Sequence, residues 1–497
     1  VILTVDFGTS VTKVGLWGED GLVTLARAEL ATARPEVGWA EQDPFSWWTS
    51  VVVGCAEARA LAPEAFSAVE VIGCSGARQT FVPVTAAAEP LGHGLLWSDR
   101  RGVQEAAMLA AGLGGHDAVR SLTGVPLDGG AVAAKLAWLA AHDPGRLARA
   151  DWVLTPRDLV IWRLTGEVVT DRTMASRGGL YDLDGEVVEA LAGPATAKLA
   201  PVLESDGVAG GLRAVPAAEL GLRPGIPVVV GAGDRACEVL GAGASAIRPM
   251  VSWGTTANVS LPVPERPAPA PEGLVVTRSA DGGWLLEGGL SAAGSFLAWL
   301  SRLTDHDPDE LAELAGASPP GARGVLAVPW LDGARAPWWR DDARAGFVGL
   351  GAAHGTGDLA RAVVEAVAYE VTRCLDLLAT RSGAEGDLEG LTLGGVGTGI
   401  PLWLAVLTAV TALPARRRRS GEAASAGAAL LAARALGRGG VLDDLDPLDD
   451  EIRPDPDSVD TYAGLRPRAE RTAQALLGLD PDGPPAPVDP AGTRPPV

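Results

Sequence analysis

One pattern occurs twice in this chain and constrains its fold more than any other feature. "VILTVDFGTSVTKVGLW" opens it, and "PMVSWGTTANVSLPV" begins at Pro249. Each reads as an apolar strand, a Gly-Thr-Thr/Ser corner and a second strand. Gly8 and Gly254 stand about half of the 497 residues apart. Single cores rarely grow past about 250–300 residues, so this spacing favours two related domains, each presenting a hydroxyl-rich glycine turn. Two unrelated β-hairpins would give the same local pattern, because Gly-Thr corners are common.

Strand-like runs alternate with helical ones throughout, which makes this an α/β protein. Val69–Cys74, Phe81–Val84, Ile226–Val230, Met250–Trp253, Leu326–Pro329 and Leu391–Leu393 read as strands. Phe45–Leu61, Gly130–Ala141, Ser291–Leu303 and Asp358–Leu378 read as helices. In the last, Leu359, Val363 and Val367 recur on one face, with Arg361 and Glu365 on another. From Leu479 the chain is rich in Pro, Asp and Gly, a composition expected to extend from the core or to form irregular coil.

The opening corner carries chemistry. Asp6 ends a buried strand, where an unpaired carboxylate is strongly destabilising. A Mg²⁺ ion between Asp6 and phosphate oxygens would remove that penalty. Gly8 lets backbone N–H groups approach a phosphate, Thr9 and Ser10 add hydroxyl donors, and Lys13 offers a cation. The alternative is that Asp6 caps local N–H groups and Lys13 is a solvated strand residue. No GxxxxGK[ST] P-loop is present. "GGVGTG" at 394–399 has the wrong glycine spacing for a dinucleotide fingerprint and reads as a segment where backbone approaches a ligand closely.

A formal net charge of −21 argues against nucleic-acid or anionic-membrane partners. An acidic protein that handles phosphate must use backbone N–H groups, a metal ion and a few placed cations. The four cysteines are widely spaced in apolar surroundings, with no CxxC or Cys/His cluster, so zinc is not expected and a reducing cytoplasm fits. No apolar run reaches the roughly 18 residues of a membrane span. The sequence begins at Val1 rather than Met, which leaves a preceding targeting segment open.

"PVVVGAGDRACEVLGAGA" supplies the catalytic candidate. A buried strand runs into Gly231-Ala232-Gly233, and Asp234 follows at the start of a helix. The positive end of that helix favours a carboxylate facing a cleft, where it can accept a proton from an attacking hydroxyl. A plain helix N-cap is the competing reading.

Taken together, these motifs resemble the FGGY carbohydrate kinases of the actin/Hsp70/sugar-kinase superfamily. "AGFVGLGAAHGTGDLARAVVE" fits the second family signature, including Gly349-Leu350, Asp358-Leu359 and Glu365. "AVAAKLAWLAAHDP" fits the first more loosely, through Lys135, Trp138 and Leu139. "DFGTSVTK" and "WGTT" resemble the two phosphate motifs, "GAGD" the segment with the catalytic Asp, and "LTLGGVGTGIPLW" with "EAASAGAALLA" the adenosine region. The resemblance spans about residues 1–440 and implies two related ribonuclease H-like domains about a central cleft. The N-terminal one covers 1–245 and the C-terminal one 246–440, followed by a helical segment and Pro-rich tail over 441–497.

The resemblance further implies Mg-ATP and a sugar or polyol in the cleft. Asp234 would be the general base, with Asp6 and Asp234 on the metal. Gly8, Thr9, Ser10, Lys13, Gly254, Thr255 and Thr256 would hold phosphates, and Gly394 and Gly395 would lie against the adenosine. Substrate contacts would come from Arg78 and Gln79, and from Trp97, Asp99 and Arg100 of the W-x-D segment. Arg78-Gln79 matches neither the Met-His of many pentulose kinases nor the Arg-Glu of glycerol kinases. Arg235 stands where the family usually has Asn or Gln. It could bind an anionic substrate with Arg78, or pair with Glu238 and never meet substrate. The loop "LDGARAPWWRDDARAGF" is like one shared by xylulose and gluconate kinases, with Ala334 in place of the usual Glu. The pattern looks nearest to the D-xylulose kinases, gluconate kinases next, and a homodimer is plausible. Arg416–Arg419 is expected as a solvated loop near the nucleotide. An actin- or Hsp70-like ATPase with a protein partner is the alternative from a different class.

Overall fold

The computed structural model describes residues 1–267, 271–340, 342–382, 388–438 and 442–478. The Pro-rich stretch from Leu479 lies outside the described residues.

Two six-stranded mixed sheets form the framework. In the first, Gly21–Glu29, Val11–Gly18, Ile2–Phe7, Val71–Gly76 and Pro227–Gly233 lie side by side in that order. The second repeats the order with Trp284–Leu290, Ala257–Val263, Met250–Trp253, Leu391–Gly394 and Ala415–Arg417. In both, three strands pair antiparallel and the last two add in parallel to the first of them. The two large sheets differ in the placement of their sixth strand. Val208–Gly211 extends the first sheet beyond its fifth strand, and Val275–Arg278 extends the second beyond its third. The echo between the two glycine corners is therefore a repeat of a whole actin/Hsp70-like sheet.

The central strands are buried on both faces, which explains their continuous apolar runs. Long crossover helices cover them: Pro44–Leu61 in the first half and Thr356–Ser382 in the second. The latter is buried on the face expected to be polar as well. Arg361 and Glu365 are sealed in, and both bond the Tyr462 hydroxyl of the Pro456–Leu477 helix, which thus packs onto the second half. Burial of two charges is tolerated because they pair and Glu365 Oε1 accepts from Arg361, Tyr462 and the Gly321 N–H, although Oε2 is left without a partner.

The halves meet through two helices in equivalent places, each following the fifth strand of its sheet: Asp234–Ala242 and Ala423–Ala435. A Cβ at Gly241 would collide with the Ala423 carbonyl, and one at Gly427 with that of Cys237. Glycine is required at both positions because the two backbones touch. The second helix also packs on the first sheet, burying Ala428, Ala429 and Ala432 in a cluster with Val71 and Val229.

Candidate active site

The first corner is a tight hairpin. Gly8 N–H donates to the carbonyl of Val11 at 3.1 Å, and a Cβ on Gly8 would stand 2.8 Å from that oxygen. Thr9 is fixed from two sides: its hydroxyl accepts from Trp97 Nε1 at 2.8 Å and its carbonyl from Gln42 Nε2 at 2.5 Å. Ser10 is exposed. Lys13 faces Asp6 across the hairpin, but its Nζ donates to Glu422 Oε2 at 2.6 Å, and Arg27 holds the other oxygen of Glu422. The cation expected on phosphate is therefore engaged by a carboxylate from the second half.

Asp6 is buried, and its Oδ1 has no hydrogen-bond partner. Burial pushes its carboxyl up to about 6, only partly offset by Lys13, and the nearby Asp234 raises it further. Asp6 does not cap local N–H groups through this oxygen. A divalent cation fits it. Among the described residues no cluster of three or more His, Cys, Asp or Glu is placed to bind metal. The rest of the shell would then come from water and phosphate, as Mg²⁺ prefers.

Asp234 lies at the same end of the sheet. Parallel pairing sets Gly233 beside Gly76, and Gly76 beside Phe7, so Asp6 and Asp234 both sit at the carboxyl ends of the two strands that flank Val71–Gly76. Gly233, not Asp234, is the helix N-cap, and its N–H donates to Thr173 Oγ1 at 2.7 Å. The Asp234 side chain is 44% exposed. Its Oδ1 accepts from the Arg235 N–H at 2.7 Å and has Arg78 Nε at 3.5 Å.

Arg78 crosses between the halves. Its two Nη atoms donate to the two oxygens of Glu287 at 2.8 and 2.9 Å, a bidentate pair to the Trp284–Leu290 strand. Burial alone would raise the Glu287 carboxyl. Arg78, Arg177 and the Thr277 hydroxyl outweigh it and hold the carboxyl at about 2. Glu287 was not legible as a partner, though a Glu inside the apolar run "WLLEGGL" was the signal.

Other expected substrate contacts are placed differently. Asp99 is fully buried. Its oxygens accept from Ala40 N–H and from the backbone and guanidinium of Arg101, so it braces Arg101 instead of facing open space. Arg100 pairs with Asp128 at 2.8 Å. Arg235 pairs with Glu238, the alternative noted from sequence. Gln79 has a left-handed backbone with φ 63°, and its carbonyl accepts from Lys135 Nζ at 2.8 Å. Lys135 also donates to the Leu96 carbonyl at 2.7 Å, tying the Arg78-Gln79 loop to the Trp97 segment. Burial pushes this ammonium down to about 7.

On the opposite wall, the carbonyls of Gly254 and Thr255 accept from the backbone at 293–295, where the Gly294–Thr304 helix begins. A Cβ on Gly254 would meet nothing nearer than 4.0 Å, so this corner faces open space with Thr256 beside it. Gly394 adjoins Ser252, whose hydroxyl donates to Glu238 Oε1 at 2.6 Å. Gly395 has φ 81°, and a side chain there would strike the Trp253 carbonyl. The arginine run is not a solvated loop. Arg416 and Arg417 lie on the edge strand and pair with Glu451 and Asp449, while Arg418 is buried against Asp443 and the Asp446 carbonyl. Arg419 alone is open, at 70% side-chain exposure.

Sequence models of the N- and C-terminal domains of the FGGY family of carbohydrate kinases match residues 1–241 and 250–436. This chain belongs to the FGGY family of carbohydrate kinases. It is 31% identical to a xylulose kinase of Escherichia coli over 96% of this chain and 99% of that one. It is also 31% identical to a glycerol kinase of Alkalilimnicola ehrlichii, over 88% of this chain and 91% of that one. The solved xylulose kinase of Rhodospirillum rubrum superposes with a TM-score of 0.86 at 27% identity, covering 96% of this chain and 98% of the other. Equal identity to relatives named for different substrates means that overall similarity does not select the sugar of this kinase. No helix among its described residues is long and apolar enough to cross a membrane.

Proposed function

We propose that this FGGY kinase transfers the γ-phosphoryl group of ATP to a terminal hydroxyl of a small neutral sugar, D-xylulose first among candidates, with Asp234 as general base. The observation that carries the reading is the placement of Asp234. It is a half-exposed carboxylate at a strand terminus, with no carboxylate-saturating ion pair, at the same sheet end as the orphan oxygen of Asp6. Asp234 accepts the proton of the hydroxyl as its oxygen bonds to phosphorus. Asp6, with Asp234 alongside, would hold Mg²⁺, which when bound neutralises phosphate charge. Gly8, Thr9, Gly254, Thr255 and Thr256 present backbone and hydroxyl donors from the two walls, and Gly394 and Gly395 would lie against the nucleoside. Catalysis here is chiefly positioning and charge compensation.

The two arginines expected to meet an anionic substrate are both committed, which weighs against their holding gluconate. Arg78 is matched by Glu287 and Arg235 by Glu238, so neither guanidinium is available to a carboxylate without breaking a pair. Trp97, hydrogen-bonded to Thr9, links the substrate segment to the phosphate corner. The test is coupled ADP release with Mg-ATP across D-xylulose, D-ribulose, L-ribulose, D-gluconate, glycerol and erythritol. D-Xylulose should give the highest kcat/KM, and Asp234→Ala should lower kcat by about 10²- to 10⁴-fold. Turnover of D-gluconate above every neutral sugar would overturn the substrate assignment. An unchanged kcat in Asp234→Ala would overturn the base.

A further inference from the structure

One cation near this site is left over after the ion pairs are drawn. Arg177 belongs to the short helix Arg172–Gly178, whose Thr173 receives the Gly233 N–H beside Asp234. Four residues on, Arg177 shares the helix face of Thr173. The neighbouring Met174 and the Arg78 stem crowd the Gly233 Cα from the same side. The guanidinium therefore stands at the Arg78–Glu287 bridge, with Asp128 and Arg335 as its other charged neighbours.

Its neighbours' charges are spoken for. Glu287 accepts twice from Arg78 and once from Thr277. Asp128 accepts from Arg100 and from the Gly130 N–H. Arg177 Nη1 is sealed from solvent and has no hydrogen-bond partner. A buried guanidinium N–H without an acceptor is costly and rare in a folded protein. Burial and the adjacent Arg78 charge push the group down to about 10, still charged at neutral pH. A donor held this way, at the Arg78–Glu287 contact between the two halves, lacks an acceptor within the described protein.

We infer that Arg177 is a substrate-binding residue whose Nη1 donates to a sugar oxygen that can only accept, a carbonyl or carboxylate oxygen away from the reacting hydroxyl. A guanidinium has no acceptor, so it prefers such an oxygen to a hydroxyl, which needs its own proton placed. A polyol binds less well than the corresponding ketose for this reason. The inference rests on the sugar-kinase reading above and deepens it by naming what the site discriminates.

The experiment compares D-xylulose with xylitol, and D-gluconate with D-sorbitol, in wild type, Arg177→Met and Arg177→Lys. Wild type should prefer the member of a pair that carries the acceptor oxygen. Arg177→Met should raise KM for that member by about 10- to 100-fold and reduce the preference by a similar factor. KM for ATP should stay within about twofold. Arg177→Lys should recover part of the loss. The thermal shift induced by the preferred sugar alone should vanish in Arg177→Met, while that induced by Mg-ATP persists. The pair that responds says whether the acceptor is a carbonyl or a carboxylate. Unchanged KM and unchanged preference in Arg177→Met would overturn the inference while leaving the kinase reading intact. So would failure of both variants to fold, since Arg177 would then be structural. Turnover of none of the four compounds by wild type would bring down both readings together.

Discussion

The two halves share a strand order but not a chemistry, and the difference is concentrated at one position. Aligning Gly8 with Gly254 puts Asp6 opposite Ser252. At the end of the equivalent strand, the first half buries a carboxylate with an orphan oxygen, and the second places a hydroxyl that donates to Glu238. The following helices repeat the contrast. One begins with the half-exposed Asp234; the other begins with Ala423, preceded by Glu422, which is already committed to Lys13 and Arg27. At these equivalent positions a duplicated fold has an orphan and a half-exposed carboxylate in one copy and satisfied polar pairs in the other. Unsatisfied charge is concentrated on the side proposed to react, and pairing on the other.

Making the halves alike should break this arrangement. Asp6→Ser copies Ser252 into the first half and should reduce phosphoryl transfer by about 10²- to 10³-fold. It should also stabilise the ligand-free chain at pH 8, by up to roughly 3 kcal/mol. The sign follows from the raised carboxyl, near 6 when folded against an ordinary 3.8. The folded state holds the proton more tightly, so stability falls as pH rises between those values, and the penalty is complete above about 6. Urea melts at pH 8 and pH 4 check it, because the advantage of the variant should shrink at the lower pH.

Next in size is the bridge between the halves. Glu287→Gln leaves Arg78 buried without its carboxylate and should cost about 3 kcal/mol. The Glu287 carboxyl is held near 2 against an ordinary 4.5, so its contribution is full above 4.5 and fades as pH falls toward 2. Over that range wild type should lose stability more steeply than the variant, which thermal melts in acid would show. The glycine corners should separate more gently. Gly8→Ala meets the Val11 carbonyl and should lower stability by about 1 kcal/mol. Gly254→Ala meets open space, so it should leave Tm unchanged and raise KM for ATP by about tenfold if phosphate approaches that backbone. Smallest is Glu422→Ala. Freeing Lys13 should tighten nucleotide binding a few-fold at low salt, an effect that fades as salt screens the charge.

Much of this was legible because it is local. Strand ends, the two corners and the start of the Asp234 helix lie within short windows where periodicity and glycine placement speak directly. Met250–Trp253 was placed to the residue. The supporting pairs were not legible, since they join distant residues. Lys13 meets Glu422, Arg78 meets Glu287, and Tyr462 closes on Arg361 and Glu365. A sequence shows that Asp99 is acidic but not that Arg101 and Ala40 will occupy both of its oxygens. The run of four arginines misled for the same reason: acids far along the chain draw three of them onto an edge strand and into the interior.

The paired helices beneath the cleft have a mechanical meaning. Where Gly241 and Gly427 let backbone rest on backbone, no side chain is interposed that could compress or change rotamer. The contact behaves as a hard stop, stiff along the line joining the halves. Its thickness sets the resting gape of the jaws above it. A single methyl group at either glycine would act as a shim, prising Asp6 and Asp234 away from the Gly254 wall from a distance.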